Sequence, residues 1–292
     1  MLNISSLRKT YANGVQALRE VSLSIEPGMF GLLGPNGAGK STLMRTIAAL
    51  QAPDAGELRF DGIDVLKQPD ALRRVLGYLP QDFGVYPRVS ALDMLDHIAV
   101  LKGLTDSKKR KAVVEGLLKQ TNLWAVRKKA LSGYSGGMRQ RFGIAQALLG
   151  DPKLIIVDEP TAGLDPEERN RFHNLLAEIG ENVVVLLSTH IVEDVADLCP
   201  RMAIMAQGQI VSYGAPSELV DKLAGQVWRK AIARSELEEH QRRYRVLSTR
   251  RVAGSLSIHA LADSAPDPEF AAVPPTLEDV YFASISSSTG AN

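Results

Sequence analysis

The pattern of apolar and polar residues divides the chain into stretches of different character. Over the first sixty residues, apolar and polar positions alternate in strand fashion, with turn signals at 13–14, 27–28 and 61–62. Residues 40–50 read as a helix within this stretch, and a further short strand follows at 76–80. From residue 90 to about 149, apolar residues recur at i, i+3 and i+4, which predicts helices inserted into an α/β body.

Strand–helix alternation resumes after residue 149. We predict strands at "LIIVD" and "NVVVLLST", helices over Pro166–Ile179 and Ile191–Leu198, and a hairpin over "MAIMAQGQIVSYG". The runs "LIIV" and "VVVLL" are almost continuously apolar, which is typical of parallel strands buried on both faces. The fold class predicted from the pattern is therefore α/β.

A third change of character comes near residue 225. The following residues predict a strand, a helix and two more strands, then a closing helix in "PPTLEDVYFASI" and a frayed tail in "SSSTGAN". We place a main domain at 1–224, with a helical subdomain at about 88–150, and a C-terminal extension at 225–292.

Composition narrows the class of protein. The single cysteine, Cys199, excludes an internal disulfide framework and a cysteine-cluster metal site. The N-terminus has no apolar core of signal-peptide length, and no run approaches 18 apolar residues, so we expect no membrane span. A net charge of +1 by itself argues neither for nor against nucleic acid.

The stretch "GPNGAGKST" satisfies the phosphate-loop pattern G-x-x-x-x-G-K-[ST]. It follows the apolar strand "MFGLL" and opens a helix, so backbone N–H groups and the positive end of the helix dipole face one anion. Lys40 is expected to reach the β- and γ-phosphates of a nucleotide, and Ser41 to ligate Mg²⁺. The nucleotide-binding residues predicted here are Gly34, Pro35, Asn36, Gly37, Ala38, Gly39, Lys40, Ser41 and Thr42.

Two acids end the predicted strand "LIIVD". Ligands of parallel sheets bind at the carboxyl ends of the strands, which puts Asp158 beside the phosphate loop, where it can hold Mg²⁺ through water. Glu159 points elsewhere in the strand alternation and is expected to polarise the water that attacks the γ-phosphate. Alone, the pair could equally be a solvated strand end; the phosphate loop favours the functional reading.

Two further polar residues follow predicted strands. His190 ends "NVVVLLSTH", a strand expected to neighbour the one that ends in Asp158, so His190 could bond the phosphate or hold the attacking water. Gln81 follows "LGYLP" and could reach Mg²⁺ or water. Either residue alone would more often be an ordinary surface residue.

In order, "GPNGAGKST", "YLPQ", "SGGMRQR", "LIIVDEPTAGLD" and "STH" resemble the ATP-binding subunits of ABC transporters over roughly residues 1–222. The resemblance implies a P-loop NTPase fold with an antiparallel β subdomain and an inserted α-helical subdomain. It implies ATP as ligand and places Gln81 in the Q-loop, residues 162–165 in the D-loop and His190 at the switch position. It also implies that Tyr11, 29 residues before Lys40, stacks on adenine.

A second glycine loop, "LSGYSGGMRQR", offers two frames for the family's signature. We choose "YSGGM", because it keeps Ser135, Gly136 and Gly137 together at the start of a helix, where a hydroxyl and free N–H groups face one anion. Subunits of this family meet head to tail, so the resemblance implies that this loop binds the partner's ATP. We expect a second copy of the chain as the partner; a different subunit remains the alternative.

The signature and the ending "PPTLEDVYFA" resemble the drug- and polysaccharide-exporting branch of the family. The implied function is an ATPase that powers a separate integral membrane permease, held at the cytoplasmic face of the membrane, with no nucleic-acid partner. The alternative is a non-transport ATPase of the same fold, acting in envelope remodelling, lipid extraction or on DNA or ribosomes. A basic stretch at 229–251, with eight Lys and Arg against three Glu, is either a face for lipid or permease or a solvated surface.

Overall fold

The structure, a computed structural model, describes residues 1–81, 84, 86–161, 164–180, 183–252 and 255–289. The strands are β1 (Leu2–Thr10), β2 (Gln16–Ile25), β3 (Gly28–Leu33), β4 (Ala55–Phe60), β5 (Ile63–Asp64), β6 (Leu76–Leu79), β7 (Leu154–Asp158), β8 (Val184–Thr189), β9 (Arg201–Ala206), β10 (Gln209–Gly214), β11 (Val227–Ile232), β12 (Val246–Val252), β13 (Ser255–Leu261) and β14 (Ala271–Ala272). The helices are α1 (Lys40–Ile47), α2 (Pro69–Val75), α3 (Ala91–Leu101), α4 (Ser107–Gln120), α5 (Gly136–Leu148), α6 (Pro166–Ile179), α7 (Val192–Leu198), α8 (Pro216–Asp221), α9 (Leu237–Arg243) and α10 (Leu277–Thr289).

A six-stranded sheet of order β10-β9-β3-β8-β7-β6 forms the centre of the α/β fold. Its strands are parallel except for β10, which pairs antiparallel with β9 in the predicted hairpin. Every residue of β7 and β8 is buried, as their apolar sequences predict. In the register of the sheet, Leu33 pairs with Thr189 and Asp158 pairs with Ser188, so the loops after β3, β7 and β8 begin side by side.

Smaller layers cover this sheet. An antiparallel sheet of order β2-β1-β4-β5 shares one apolar core with α1 and one face of the central sheet. A separate core lies among α3, α4 and α5, around Leu95, Leu118 and Phe142. None of the helices within the described ranges is long and apolar enough to cross a bilayer.

The extension forms a third sheet, of order β12-β13-β11-β14, with α9 and the last helix. Leu277, Val280 and Tyr281 of α10 pack into the core on the other face of the central sheet. The helix begins with a capping box: the Thr276 Oγ1 accepts from the Asp279 N–H, and Asp279 Oδ2 accepts from the Thr276 N–H at 2.9 Å. The segment "PPTLEDVY", which resembles the ending of the exporters, thus contains the residues that cap the first turn of α10.

Asp279 also links α10 to the extension's sheet. Its side chain is 2% exposed, and His259 Nδ1 of β13 lies 2.8 Å from Asp279 Oδ1. Asp279→Ala removes a buried acceptor and leaves its donors without a hydrogen-bond partner. We therefore expect it to lower the free energy of unfolding by about 1–3 kcal/mol. Urea denaturation measures this difference.

The neighbouring Glu278 supplies the control for that experiment. It pairs with Arg250 but keeps 28% of its side chain exposed, and exposed pairs contribute about 0–1 kcal/mol. Glu278→Ala should therefore leave stability almost unchanged. Equal stability of the two variants would show that Asp279 does not brace the extension.

The element predictions hold over most of the chain, with three corrections. The predicted frayed tail is partly helix, because α10 continues to Thr289; Arg245 donates to the Ala283 carbonyl and to Ser286 Oγ along it. Residues 290–292 lie outside the described ranges. The short helices α2 and α8 were missed, although each begins with proline at its first position, a common helix start. The first helix ends at Ile47, earlier than the predicted residue 50.

Candidate nucleotide site

The phosphate loop joins β3 to α1, as predicted. The cap of α1, Gly39, has φ 107°, and a Cβ there would lie 2.4 Å from the Ala17 carbonyl oxygen. Both the left-handed backbone and the close approach exclude a side chain at this position. The loop therefore keeps the open backbone that a phosphate requires.

Lys40 lies inside the loop and not on its surface. Its side chain is 5% exposed, and Nζ donates to the carbonyl oxygens of Gly34 at 2.7 Å and Pro35 at 3.2 Å. Burial lowers the pKa of the Lys40 ammonium, and the charge of Glu159 opposes that shift. A buried ammonium in a loop of N–H groups is suited to bind an anion.

Asp158 is the residue whose environment best fits a cation. The residue is 3% exposed, and its Oδ1 has no hydrogen-bond partner within the described part of the chain. Burial raises the pKa of the Asp158 carboxyl, while the hydroxyls of Ser188 and Ser41 act against the shift. A buried, unpaired carboxylate oxygen next to a serine hydroxyl matches the oxygen ligands that Mg²⁺ prefers.

A turn of the backbone sets the direction of the Glu159 side chain. Strand β7 ends at Asp158, and Glu159 has φ 48°, in the left-handed region that a residue with a side chain rarely adopts. Its N–H donates to the Ser188 carbonyl at 2.8 Å, which holds the turn against β8. We predicted that Asp158 and Glu159 point in different directions because of strand alternation, and that reason is wrong. The left-handed turn sets their different directions.

Three polar side chains converge on the Glu159 carboxylate. Lys40 Nζ lies 3.6 Å from Oε1, while Gln81 Nε2 donates to Oε2 at 3.3 Å and His190 Nδ1 lies 3.2 Å from the same oxygen. The Glu159 side chain is 10% exposed, whereas the His190 side chain is 44% exposed. The structure thus brings together four residues that sequence reasoning selected separately.

Tyr11 lies at the rim of the site. Its hydroxyl lies 3.1 Å from Thr42 Oγ1 and donates to Gln51 Oε1 at 3.3 Å, so the ring is held from the α1 side. Tyr11 lines a cavity of about 630 Å³, a volume suited to a nucleotide-sized ligand. The other residues that line it are Val15, Gln16, Ala17, Arg19, Pro35, Asn36, Gly37, Ala38, Gly39, Lys40, Ser41, Thr42, Gln81, Glu159 and Gln207.

Sequence reasoning missed the residues that support this cavity. Gln51 holds Tyr11 and donates to the Thr42 carbonyl at 2.9 Å, and Gln207 enters from the turn between β9 and β10. That turn is fastened to the phosphate loop, because the Gly208 N–H donates to the Ala38 carbonyl at 2.8 Å. Neither glutamine belongs to a motif, so the sequence carries no local signal for them.

The second glycine loop lies apart from this cavity. Ser135 caps α5 by accepting from the Met138 N–H at 3.2 Å, which confirms the predicted helix start, and residues 131–133 form only a short 3₁₀ turn before it. Ser135 and Gly136 are exposed. Among the described residues that line the nucleotide cavity, none comes from this loop.

The two glycines of this loop have different surroundings. A Cβ at Gly136 would meet open space, whereas a Cβ at Gly137 would lie 2.4 Å from Glu168 Oε2 of α6. Glu168 in turn pairs with Arg141 of α5. A side chain at Gly137 would therefore require Glu168 to move, whereas Gly136 leaves an accessible backbone. Of the predicted D-loop, residues 162 and 163 lie outside the described ranges.

Comparison with known proteins identifies the family. The model of the ABC transporter family matches residues 18–162. The linearmycin resistance ATP-binding protein LnrL of Bacillus subtilis (strain 168) is 34% identical over 227 residues, which are 77% of this chain and 72% of that protein. The daunorubicin/doxorubicin resistance ATP-binding protein DrrA of Streptomyces peucetius is 33% identical over 267 residues, 91% of this chain and 78% of DrrA.

A solved structure agrees with these relatives. A dimeric ATP-binding cassette in a post-hydrolysis state, bound to ADP and Pi, superposes with a TM-score of 0.68 at 27% identity. The match covers 74% of this chain and 98% of that one. The chain belongs to the ABC transporter family and is one of its ATP-binding, ATP-hydrolysing subunits. The family, the fold and the ATPase activity predicted from the motifs are confirmed.

Proposed function

We propose that two copies of this chain close head to tail around two ATP molecules, each held between one copy's phosphate loop and the other's signature loop. The proposal rests on the separation of these loops, because residues 135–137 do not line the cavity that Lys40 and Glu159 line. Ser135 and Gly136 are exposed, so a partner's phosphate can reach them. The dimeric form of the related cassette supports the same arrangement.

Within each site the chain's own residues divide the work. Lys40 and the loop N–H groups bind the phosphates, and Tyr11 stacks on the base. Glu159 accepts a proton from the attacking water, and Gln81 and His190, both within 3.3 Å of its Oε2, orient that carboxylate and the water. Ser41, Asp158 and Gln81 would hold Mg²⁺, which neutralises phosphate charge when bound.

We further propose that the dimer powers a separate membrane permease that exports its substrate. The relatives support this, since LnrL and DrrA are named for linearmycin resistance and daunorubicin/doxorubicin resistance. The helical layer offers the surface for a permease at the cytoplasmic face of the membrane. Val100, Leu101 and Val113 on α3 and α4 keep 43%, 73% and 38% of their surface exposed.

Affinity purification of the tagged chain from membranes tests the permease proposal. We expect an integral membrane protein to come with the wild-type chain and to be lost from a Val100→Glu/Leu101→Glu variant, because charges there oppose an apolar contact. The variant should hydrolyse ATP normally when purified alone. Lys108→Gln/Lys109→Gln at the start of α4 lowers the net charge by the same two units and is the matched control for surface charge. Recovery of the chain without a membrane protein would contradict the proposal.

A further inference from the structure

A fully buried carboxylate lies behind the catalytic loops. Asp194 of α7 is 0% exposed, and its Oδ1 accepts hydrogen bonds from two residues of α6. Arg169 Nε donates to it at 2.7 Å, and His173 Nε2 lies 2.9 Å away. These two contacts fix Asp194 against α6.

The other oxygen of Asp194 reaches the loops that carry the proposed catalytic residues. Thr161 Oγ1, two residues after Glu159, donates to Oδ2 at 2.5 Å. Thr189 Oγ1, immediately before His190, donates to the same oxygen at 3.4 Å. The Thr189 hydroxyl also accepts from the Ile191 N–H at 3.0 Å, so it holds the backbone on both sides of His190.

Stability alone does not account for such a group. Burying charges is costly, and replacing buried ion pairs by apolar residues is often neutral or stabilising. The hydrogen bonds of Asp194 instead connect α6, the loop after Glu159 and the end of β8 before His190. Glu159 sits in a left-handed turn, and a catalytic carboxylate displaced by about 1 Å loses on the order of 10²-fold in rate.

We propose that Asp194 is a positioning residue for ATP hydrolysis, which holds the Glu159 loop through Thr161 and the His190 loop through Thr189. Arg169 and His173 anchor it on α6. The inference rests on the proposed roles of Glu159 and His190. Asp194, Arg169 and His173 lie outside the sequence motifs, whereas Thr161 and Thr189 lie within them.

The first test is Asp194→Asn. An aspartate accepts bonds at both oxygens, whereas the NH₂ group of asparagine is a donor and would face either the threonine hydroxyls or the α6 donors. We expect kcat for ATP hydrolysis to fall about 10- to 100-fold, with KM and the affinity for a fluorescent ATP analogue unchanged. This split separates loss of positioning from loss of folded protein.

Asp279→Asn is the matched control. Asp279 is also a buried carboxylate, 1% exposed, with histidine and threonine partners, but it lies in α10. Its loss should lower the melting temperature while leaving kcat per folded molecule unchanged. If both variants lose kcat in proportion to stability, Asp194 is structural and the proposal is overturned.

Two milder variants keep the proposal testable should Asp194→Asn fail to fold. Thr161→Val and Thr189→Val keep the branched side chain and each remove one hydroxyl that reaches Oδ2. Each should lower kcat, and Thr189→Val should have little further effect in a His190→Ala background, because interacting residues are not additive. Normal kcat in both valine variants would overturn the proposal.

Glu159→Gln, measured in parallel, separates this inference from the proposed function. Inactive Glu159→Gln together with normal Asp194→Asn would refute only the positioning role. Normal hydrolysis by Glu159→Gln would show that Glu159 is not the general base. The positioning role of Asp194 would then have no catalytic residue to act on.

Discussion

Replacing Glu159 with glutamine lowers kcat for ATP hydrolysis about 10²- to 10⁴-fold, the range for a lost general base. Glutamine keeps the shape of the side chain but cannot accept the proton of the attacking water. ATP should still bind, because Lys40 keeps its bonds to the carbonyls of Gly34 and Pro35. Phosphate release measures hydrolysis, and a fluorescent ATP analogue measures binding.

The control is Glu178→Gln, an exposed glutamate near the C-terminal end of α6. It makes the same chemical change outside the site and should leave kcat unaltered. If Glu159→Gln hydrolyses ATP at the control's rate, Glu159 is not the base. If it also loses ATP affinity, Glu159 acts mainly by holding Lys40, whose Nζ lies 3.6 Å from it.

The second large effect is expected from Ser135→Arg. Ser135 is exposed at the start of α5, where we place the partner's phosphate, so a long side chain there keeps the two copies apart. The substitution also removes the cap on the Met138 N–H, at a cost of about 1 kcal/mol, which leaves the monomer folded. ATP-dependent dimerisation should therefore be lost, while the monomer still binds nucleotide.

Sedimentation in a Glu159→Gln background measures this directly, because ATP is then bound but not consumed. Ser132→Arg is the control: Ser132 is also exposed, but it belongs to the alternative frame "LSGYS". We expect dimers with Ser132→Arg and none with Ser135→Arg. The reverse result would mean that the signature was assigned in the wrong frame.

Much of the site could be predicted from the sequence because its parts are local. A phosphate loop needs one strand, a few glycines and one helix start, all contiguous in "MFGLLGPNGAGKST". The apolar strands β7 and β8 follow from composition, and their neighbouring places in the sheet bring Glu159 and His190 together. Here pattern and tertiary structure agree.

The direction of Glu159 could not be predicted in the same way. It depends on φ 48° at one residue, and that conformation is held by a bond to the Ser188 carbonyl on another strand. The partners of Asp194 come from three further elements, at positions 161, 169, 173 and 189. No spacing along the chain reveals such a cluster, because only tertiary packing creates it.

Mixing two inactive variants determines whether each ATP site is shared between two copies of the chain. Lys40→Ala lacks a working phosphate loop, and Ser135→Ala lacks the signature hydroxyl but adds no bulk, so the two copies can still meet. A mixed dimer pairs the intact phosphate loop of one with the intact signature loop of the other. We predict that mixing restores hydrolysis to about a quarter of the wild-type rate, since half the dimers are mixed and each has one complete site. A mixture as inactive as its components would contradict the shared site.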